Sequence, residues 1–439
     1  MIKNKRIKEL NLIALPLIIQ SISSLIIGLS DQAMVGRISS TAFSAVGVVV
    51  SMMSTLVGII GSLSVVFNIR GSNFLGRNDR DNINDEFMTS ILLNFLIGFI
   101  FFLLIIVLKK PILILFFRFS DEILKEGILY FTILSVYPMI QLLLFIFNSY
   151  FKIIKKTKWI LLGSFIASIS NLVLDYILIF GKLGFKRMGI QGAALGSIIA
   201  ILIQLMIYII ICRKDLQLGI IRKRKLLFHK ALAQIKESIP FMGQEILDGS
   251  IFLLLIHAIL SRIGILELTS YLILVQLINI IQMPMYMYGS ATLTLVSQGK
   301  GGENKNDIIE YPVNAVKLSS FLYVILGFVF FILKDITPRI ITDDLEIIKY
   351  TSMLFIFIFI AHLFEPISTI YRYSLQAVGE SNYVLKATAI VNGIIILLML
   401  FFYTIMENGI YGIFISLFIN YILLYIVYKR KYKKETISI

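Results

Sequence analysis

Residues 10–37 read LNLIALPLIIQSISSLIIGLSDQAMVGR. As a helix this run is long enough to cross the roughly 30 Å of hydrocarbon in a bilayer. It carries Pro16 near its start and one carboxylate, Asp31, near its far end. An ionised Asp at membrane depth costs about 3 kcal/mol by insertion scales and more in simple models, so one that persists faces a cavity or a partner. Asp31 is therefore a candidate functional group.

Comparable runs recur along all 439 residues. Twelve spans are predicted, at 10–35, 42–68, 87–108, 127–150, 159–180, 189–212, 233–261, 266–296, 313–333, 348–374, 384–405 and 409–428. Composition agrees, with 58% hydrophobic residues, 15% charged and a mean hydropathy of +0.89. Soluble domains carry about 25% charged residues. No stretch shows the alternation of an outer-membrane barrel strand. The predicted fold is all-α and integral to the membrane.

The net charge of +15 raises nucleic acid as a partner, but the placement of the charges explains it otherwise. With a cytoplasmic N-terminus, more than two thirds of the 41 Lys and Arg fall on the cytoplasmic side. The positive-inside rule then puts both termini in the cytoplasm of a multi-pass plasma (inner) membrane protein. The basic blocks are Arg213-Lys214 with Arg222-Lys223-Arg224-Lys225, and Lys429-Arg430-Lys431 with Lys433-Lys434. The basic N-terminus and its apolar run resemble a signal peptide, but the run is too long and lacks a small-x-small cleavage site, so a retained first helix is expected. A single cysteine, Cys212, excludes an intramolecular disulfide. No Gly-x4-Gly-Lys-Ser/Thr loop, Gly-x-Ser-x-Gly, His-Glu-x-x-His or Cys/His cluster occurs, so neither catalysis nor a bound cofactor is expected. His257 and His362, on separate spans, read as helix-packing or interface residues rather than metal ligands.

The chain also repeats itself at about 220 to 225 residues. Pro16 recurs as Pro240, the loop Gly76-Arg77-Asn78-Asp79 as Gly301-Gly302-Glu303-Asn304, and Gly189-Ile190-Gln191-Gly192 as Gly409-Ile410-Tyr411-Gly412. An even number of helices per repeat gives both halves the same orientation, the arrangement of parallel-repeat transporters. Two six-helix lobes are predicted, 1–212 and 233–439, joined by a basic cytoplasmic linker at 213–232.

Polar residues inside the spans point to the chemistry. Asn171 and Asp175, four apart, share one helix face. Counting inward from the span ends places Asp31, Asn171 and Asp175 at a similar depth in the first lobe. Two carboxylates and an amide in a low-dielectric site suit the carriage of a proton or the coordination of a hard cation such as Na⁺. In the second lobe Glu245 and Asp248 share a face of span seven, and Glu365 sits mid-span just before Pro366, giving a possible second cation site without basic partners nearby. Met283, Met285, Tyr286 and Tyr288 in span eight offer a soft aromatic surface suited to a promiscuous cavity, with ordinary packing as the alternative.

These residues carry a resemblance. Leu15-Pro16, Asp31-x-x-Met34-Val35-Gly36-Arg37, Asn171-x-x-x-Asp175-Tyr176 and Gly189-Ile190-Gln191-Gly192-Ala193-Ala194 resemble the multidrug and toxic compound extrusion (MATE) family. Gln298 with Gly301-Gly302, and Leu375-Gln376-Ala377-Val378-Gly379-Glu380, extend the likeness to the second half. The set Asp31, Asn171 and Asp175 is similar to the acidic site of the family's DinF-like members. Asp248 and Glu365 resemble positions where other branches place second-lobe acids. Two departures stand out: Lys155-Lys156 where Gly-Asp is usual, and Gln376 in place of an Arg.

The resemblance implies a secondary active exporter, a monomer in the lipid bilayer, that exchanges lipophilic, cationic small molecules for H⁺ or Na⁺. The rival reading is a flippase for lipids or lipid-linked sugars. A pyrophosphate-lipid cavity calls for mid-membrane Arg or Lys. The basic residues here lie mostly at span ends, which favours the exporter.

Overall fold

The structure, a computed structural model, describes residues 2–115, 121–213, 224–405 and 409–438. Lys214, Arg222 and Lys223 of the basic block, and linker residues 214–223, lie outside the described residues. Fifteen α-helices make up the described chain. In the first half these are α1 (Ile2–Gly36), α2 (Ser40–Gly76), α3 (Arg80–Leu115), α4 (Asp121–Leu134), α5 (Tyr137–Ile153), α6 (Lys158–Phe180) and α7 (Ile190–Cys212). The second half holds α8 (Arg224–Ile246), a π-helical turn at Leu247–Phe252, and α9 (Leu253–Ile263). It continues with α10 (Ile265–Gly301), α11 (Lys305–Ile332), a 3-10 turn at Thr337–Ile340, α12 (Leu345–Ala361), α13 (Glu365–Ala377), α14 (Ser381–Ile405) and α15 (Gly409–Ser438).

Eleven helical stretches among the described residues are long and apolar enough to cross a membrane, or twelve when α12 and α13, bent by 42° at their break, count as one span. They overlie the twelve predicted runs. The break follows from Pro366 in the first turn of α13, where a missing N–H costs nothing but the chain before it is pushed out of the helix. Pro138 at the start of α5 does the same between α4 and α5.

Helix faces are sorted as a membrane demands. On α3, Leu96, Ile100, Leu103 and Val107 form an exposed stripe at helical spacing, while Glu86, Ser90, Asn94 and Gly98 on the opposite side are buried. In a bilayer such an apolar outside is a lipid-facing surface rather than a liability. The buried side packs aromatic rings, with Phe87 stacked on Tyr150 at 4.3 Å and Phe151 edge-on to Tyr208 at 5.1 Å.

The repeat extends to backbone detail. Asn78 (φ 60°) and Glu303 (φ 53°) both adopt the left-handed conformation at the turns after α2 and α10. Each is followed by the same closing bond, Asp79 N to Phe74 O at 2.9 Å and Asn304 N to Gly299 O at 2.8 Å. Lys155 (φ 55°) and Gly379 (φ 96°) correspond likewise, so the lysine that departs from the family pattern occupies a position that glycine fills in the second half.

The chain divides into two compact units. One contains Met1–Ile18, Leu75–Asn78 and Ile239–Ile439; the other contains Ile19–Phe74 and Asp79–Ser238. Each half thus lends the start of its first long helix to the unit formed mainly by the other half. In the first unit Arg6 pairs with Asp307 at 2.8 Å and Glu310 at 2.6 Å, and Tyr311 donates to Glu9 at 2.6 Å. In the second, Lys230 pairs with Asp85 at 3.0 Å, and Gln234 donates to Glu86 at 2.7 Å. Glu86 is fully buried and also takes Arg70 at 2.7 Å.

Candidate functional site

Asp31 on α1 and Asp175 on α6 come together inside the second unit, each carboxyl an electrostatic neighbour of the other. Asn171, one turn earlier on α6, lies beside Asp175. The three first-lobe residues singled out in the sequence are thus neighbours in the second unit. Asp175 is 0% exposed.

The local fold that holds Asp175 explains the glycine motif that follows it. Met188 N bonds to Leu178 O at 2.9 Å and Gly189 N to Ile179 O at 3.3 Å, tying the start of α7 to the end of α6. A Cβ at Gly192 would strike the backbone of Leu178, and one at Gly196 would overlap the Asp175 carboxyl. Small residues at these two positions let α7 lie directly against α6, so that the acid is walled in by backbone.

Two carboxyls facing each other form a hydrogen bond only when one is protonated. With both ionised, Asp31 Oδ1 and both oxygens of Asp175 are buried without a donor among the described residues. Burying such a pair bare costs several kcal/mol, which one shared proton or one bound cation relieves. Among the described residues no group of three or more His, Cys, Asp or Glu gathers around a common point, and the side chains this site offers a cation are two carboxylates and one amide. Tyr130 of α4, buried, is an electrostatic neighbour of both acids. The sequence gives no signal for it, one tyrosine among 20.

The second-lobe acids are arranged differently from the expectation. Asp248 lies in the π-helical turn, a rare geometry that marks functional positions in helices. Its Oδ1 accepts from Asn392 Nδ2 at 2.9 Å, and its Oδ2 from Arg372 Nη1 at 3.2 Å. Glu245 is exposed and faces the same guanidinium electrostatically. The prediction that these acids lack a basic partner is thus corrected. Arg372 stands two turns after Glu365 on α13 and reaches Asp248 from there. Glu365 is separately engaged: His362 Nδ1 lies 2.7 Å from its Oε2, and Gln282 Nε2 donates to the same oxygen. His362, expected to be a packing residue, rests on the Tyr421 ring and binds Glu365 as well.

Of the aromatic stripe on α10, Met285 and Tyr288 are buried, with Tyr288 donating to Asn11 at 2.7 Å. Met283 and Tyr286 are partly exposed, and Tyr286 is an electrostatic neighbour of Glu365, Arg372 and Asp248. Gln376, the other departure, is buried and bonds Gln244 Oε1 at 2.8 Å.

A two-fold repeat of long apolar helices, broken at prolines, with acids held inside each unit, defines a polytopic membrane transporter. The MatE family model matches residues 16–177 and 240–402, two stretches that begin at Pro16 and Pro240. The chain belongs to the MatE family of membrane transporters and is not an enzyme. Similar proteins include a probable multidrug resistance protein NorM of Thermotoga maritima, 24% identical over 379 residues, covering 85% of this chain and 80% of the relative. The uncharacterized transporter YisQ of Bacillus subtilis is 22% identical over 374 residues, covering 84% and 81%. The structure resembles the Vibrio cholerae MATE transporter VcmN in its bent form, with a TM-score of 0.88, 15% identity and 99% of both chains covered. It also resembles a MOP superfamily transporter from Pyrococcus furiosus, with a TM-score of 0.84, 15% identity and 98% and 96% covered. At these identities the structural likeness speaks to the fold.

Proposed function

We propose that the protein is a secondary active multidrug exporter, exchanging lipophilic cationic compounds for H⁺ or Na⁺ by alternating access. The observation that carries this reading is the Asp31–Asp175 pair, with Asp31 Oδ1 and both Asp175 oxygens buried and the Asn171 amide beside them. Loading the pair with an ion stabilises one conformer, and drug binding favours the other; exchange follows from differential affinity for two states. The NorM names of its relatives support export of several compounds. Glu245, Asp248 and Glu365 are proposed to form a second cation-attracting site, with Tyr286 and Met283 on its wall.

In this reading the lobes are 1–212 and 233–439, both termini face the cytoplasm across the plasma (inner) membrane, and the transporter works as a monomer. A flippase for lipid-linked anions is disfavoured because Arg372, the basic residue at that depth, is committed to Asp248. The test is dye transport in inverted vesicles with Na⁺ and pH gradients imposed one at a time. Transport driven by one of them, inhibited by an organic cation and not by an anion of similar size, supports the reading. Transport only of a lipid-linked sugar would replace it with the flippase.

A further inference from the structure

We propose that Arg372 sets the charge of the ligand that the C-terminal site accepts, admitting monocations and rejecting dications; this rests on the cationic-substrate reading above. Its guanidinium is a resident counter-ion. Arg does not lose its proton in proteins, so it cancels one carboxylate permanently, whatever the pH. Asp248 is the acid it cancels, fixed between Arg372 on α13 and Asn392 on α14, with Asn420 of α15 donating in turn to Asn392 at 3.3 Å. Each oxygen of that carboxylate has its own donor, so the pair does not swing freely.

What is left is Glu245, exposed and facing the same guanidinium. Two acids against one base leave one net negative charge beside the guanidinium. Glu365 is a weaker electrostatic neighbour of Asp248 than Arg372 is, its own Oε2 held by His362 and Gln282 and not by the guanidinium. The pair is not sealed as a structural ion pair would be: the Arg372 and Asp248 side chains are 22% and 32% exposed. Charged groups at membrane depth face the bundle interior or a water-filled cavity, and their partial exposure leaves this pair open to a ligand. The rings of Tyr286 and Tyr373 stand beside Arg372, giving an arriving organic cation an aromatic wall. A single positive charge meets the residual charge of Glu245. A second one meets the guanidinium, and like-charge juxtaposition costs several kcal/mol, which makes Arg372 a selectivity element.

The experiment compares ethidium and propidium, which share one aromatic ring system and carry one and two positive charges, binding to the purified full-length protein in nanodiscs. Wild type is expected to bind ethidium about tenfold more tightly than propidium, and Arg372→Gln to erase or invert that ratio. Arg372→Lys should keep it, and Arg372→Gln combined with Asp248→Asn should restore it by returning the net charge. Should Arg372→Gln not fold, Asp248→Asn alone leaves Glu245 and Arg372 to cancel each other and should lower ethidium affinity about tenfold. An unmoved ratio in Arg372→Gln, a lysine variant behaving like the glutamine one, or unchanged ethidium affinity in Asp248→Asn overturns the inference. Failure of wild type to bind ethidium at all instead overturns the cationic-substrate reading, and the inference falls with it.

Discussion

Gly196 decides how closely α7 can lie against Asp175. Gly196→Ala puts a methyl group where the carboxyl now rests, and because the acid is enclosed, something must shift. Overpacking of this kind costs about 1–3 kcal/mol, so a lowered thermal midpoint and a transport rate reduced beyond the loss of folded protein are expected. Asn171→Ala, which removes an amide and leaves both acids, should weaken ion-coupled export less than loss of either carboxyl, measured as efflux rate at matched reconstitution. Lys155→Gly should stabilise the protein by about 1 kcal/mol in thermal unfolding, because lysine pays for the left-handed φ that glycine adopts freely. At this scale the first-lobe acids were legible because hydrocarbon penalises a carboxylate, and a four-residue spacing fixes a helix face. Arg372 was not legible, because its partner Asp248 lies more than a hundred residues away and position along a span says nothing about which neighbour it meets. One clue existed: Glu365 and Arg372, seven apart, share a face of α13.

Helices are tied to one another by charges as well as by packing. Glu86 on α3 is buried and held by Arg70 of α2 and Gln234 of α8. Arg70→Met strands that carboxylate, and breaking a buried ion pair from one side costs about 3–5 kcal/mol. A clear drop in thermal midpoint is therefore expected, with Glu86→Gln milder because the amide still accepts from Gln234; equal midpoints for Arg70→Met and wild type would contradict the pairing. The π-helical turn at Leu247–Phe252 holds one residue more than an α-helix would. Deleting Gly249 should close the ladder to a regular α-helix with α9 in nearly its present phase, shifting Asp248 off Arg372 and Asn392 and weakening the second-lobe contribution to dye binding while helix content by circular dichroism stays the same. The twelve spans and the repeat were legible as hydrophobic length and recurring spacing. The π turn was not, since it leaves the apolar pattern of α8 and α9 unbroken and differs only in backbone hydrogen bonding.

At the scale of the molecule the account predicts an orientation and a mechanism. In a variant lacking Cys212, cysteines placed at 225 and 435 should escape labelling by a membrane-impermeant reagent applied from outside intact cells, as the distribution of basic residues requires. Efficient labelling at either position would reverse the orientation. The mechanism rests on a carboxyl pair that exchanges a coupling ion, and the most direct measurement is dye efflux from liposomes holding wild type, Asp31→Asn or Asp175→Asn at matched density. Each amide keeps the side chain's shape and removes its ionisable charge. Wild type should export dye under an imposed Na⁺ or H⁺ gradient while both variants, folded and still binding dye, show no gradient-driven export. Full coupled export by Asp31→Asn would contradict the account.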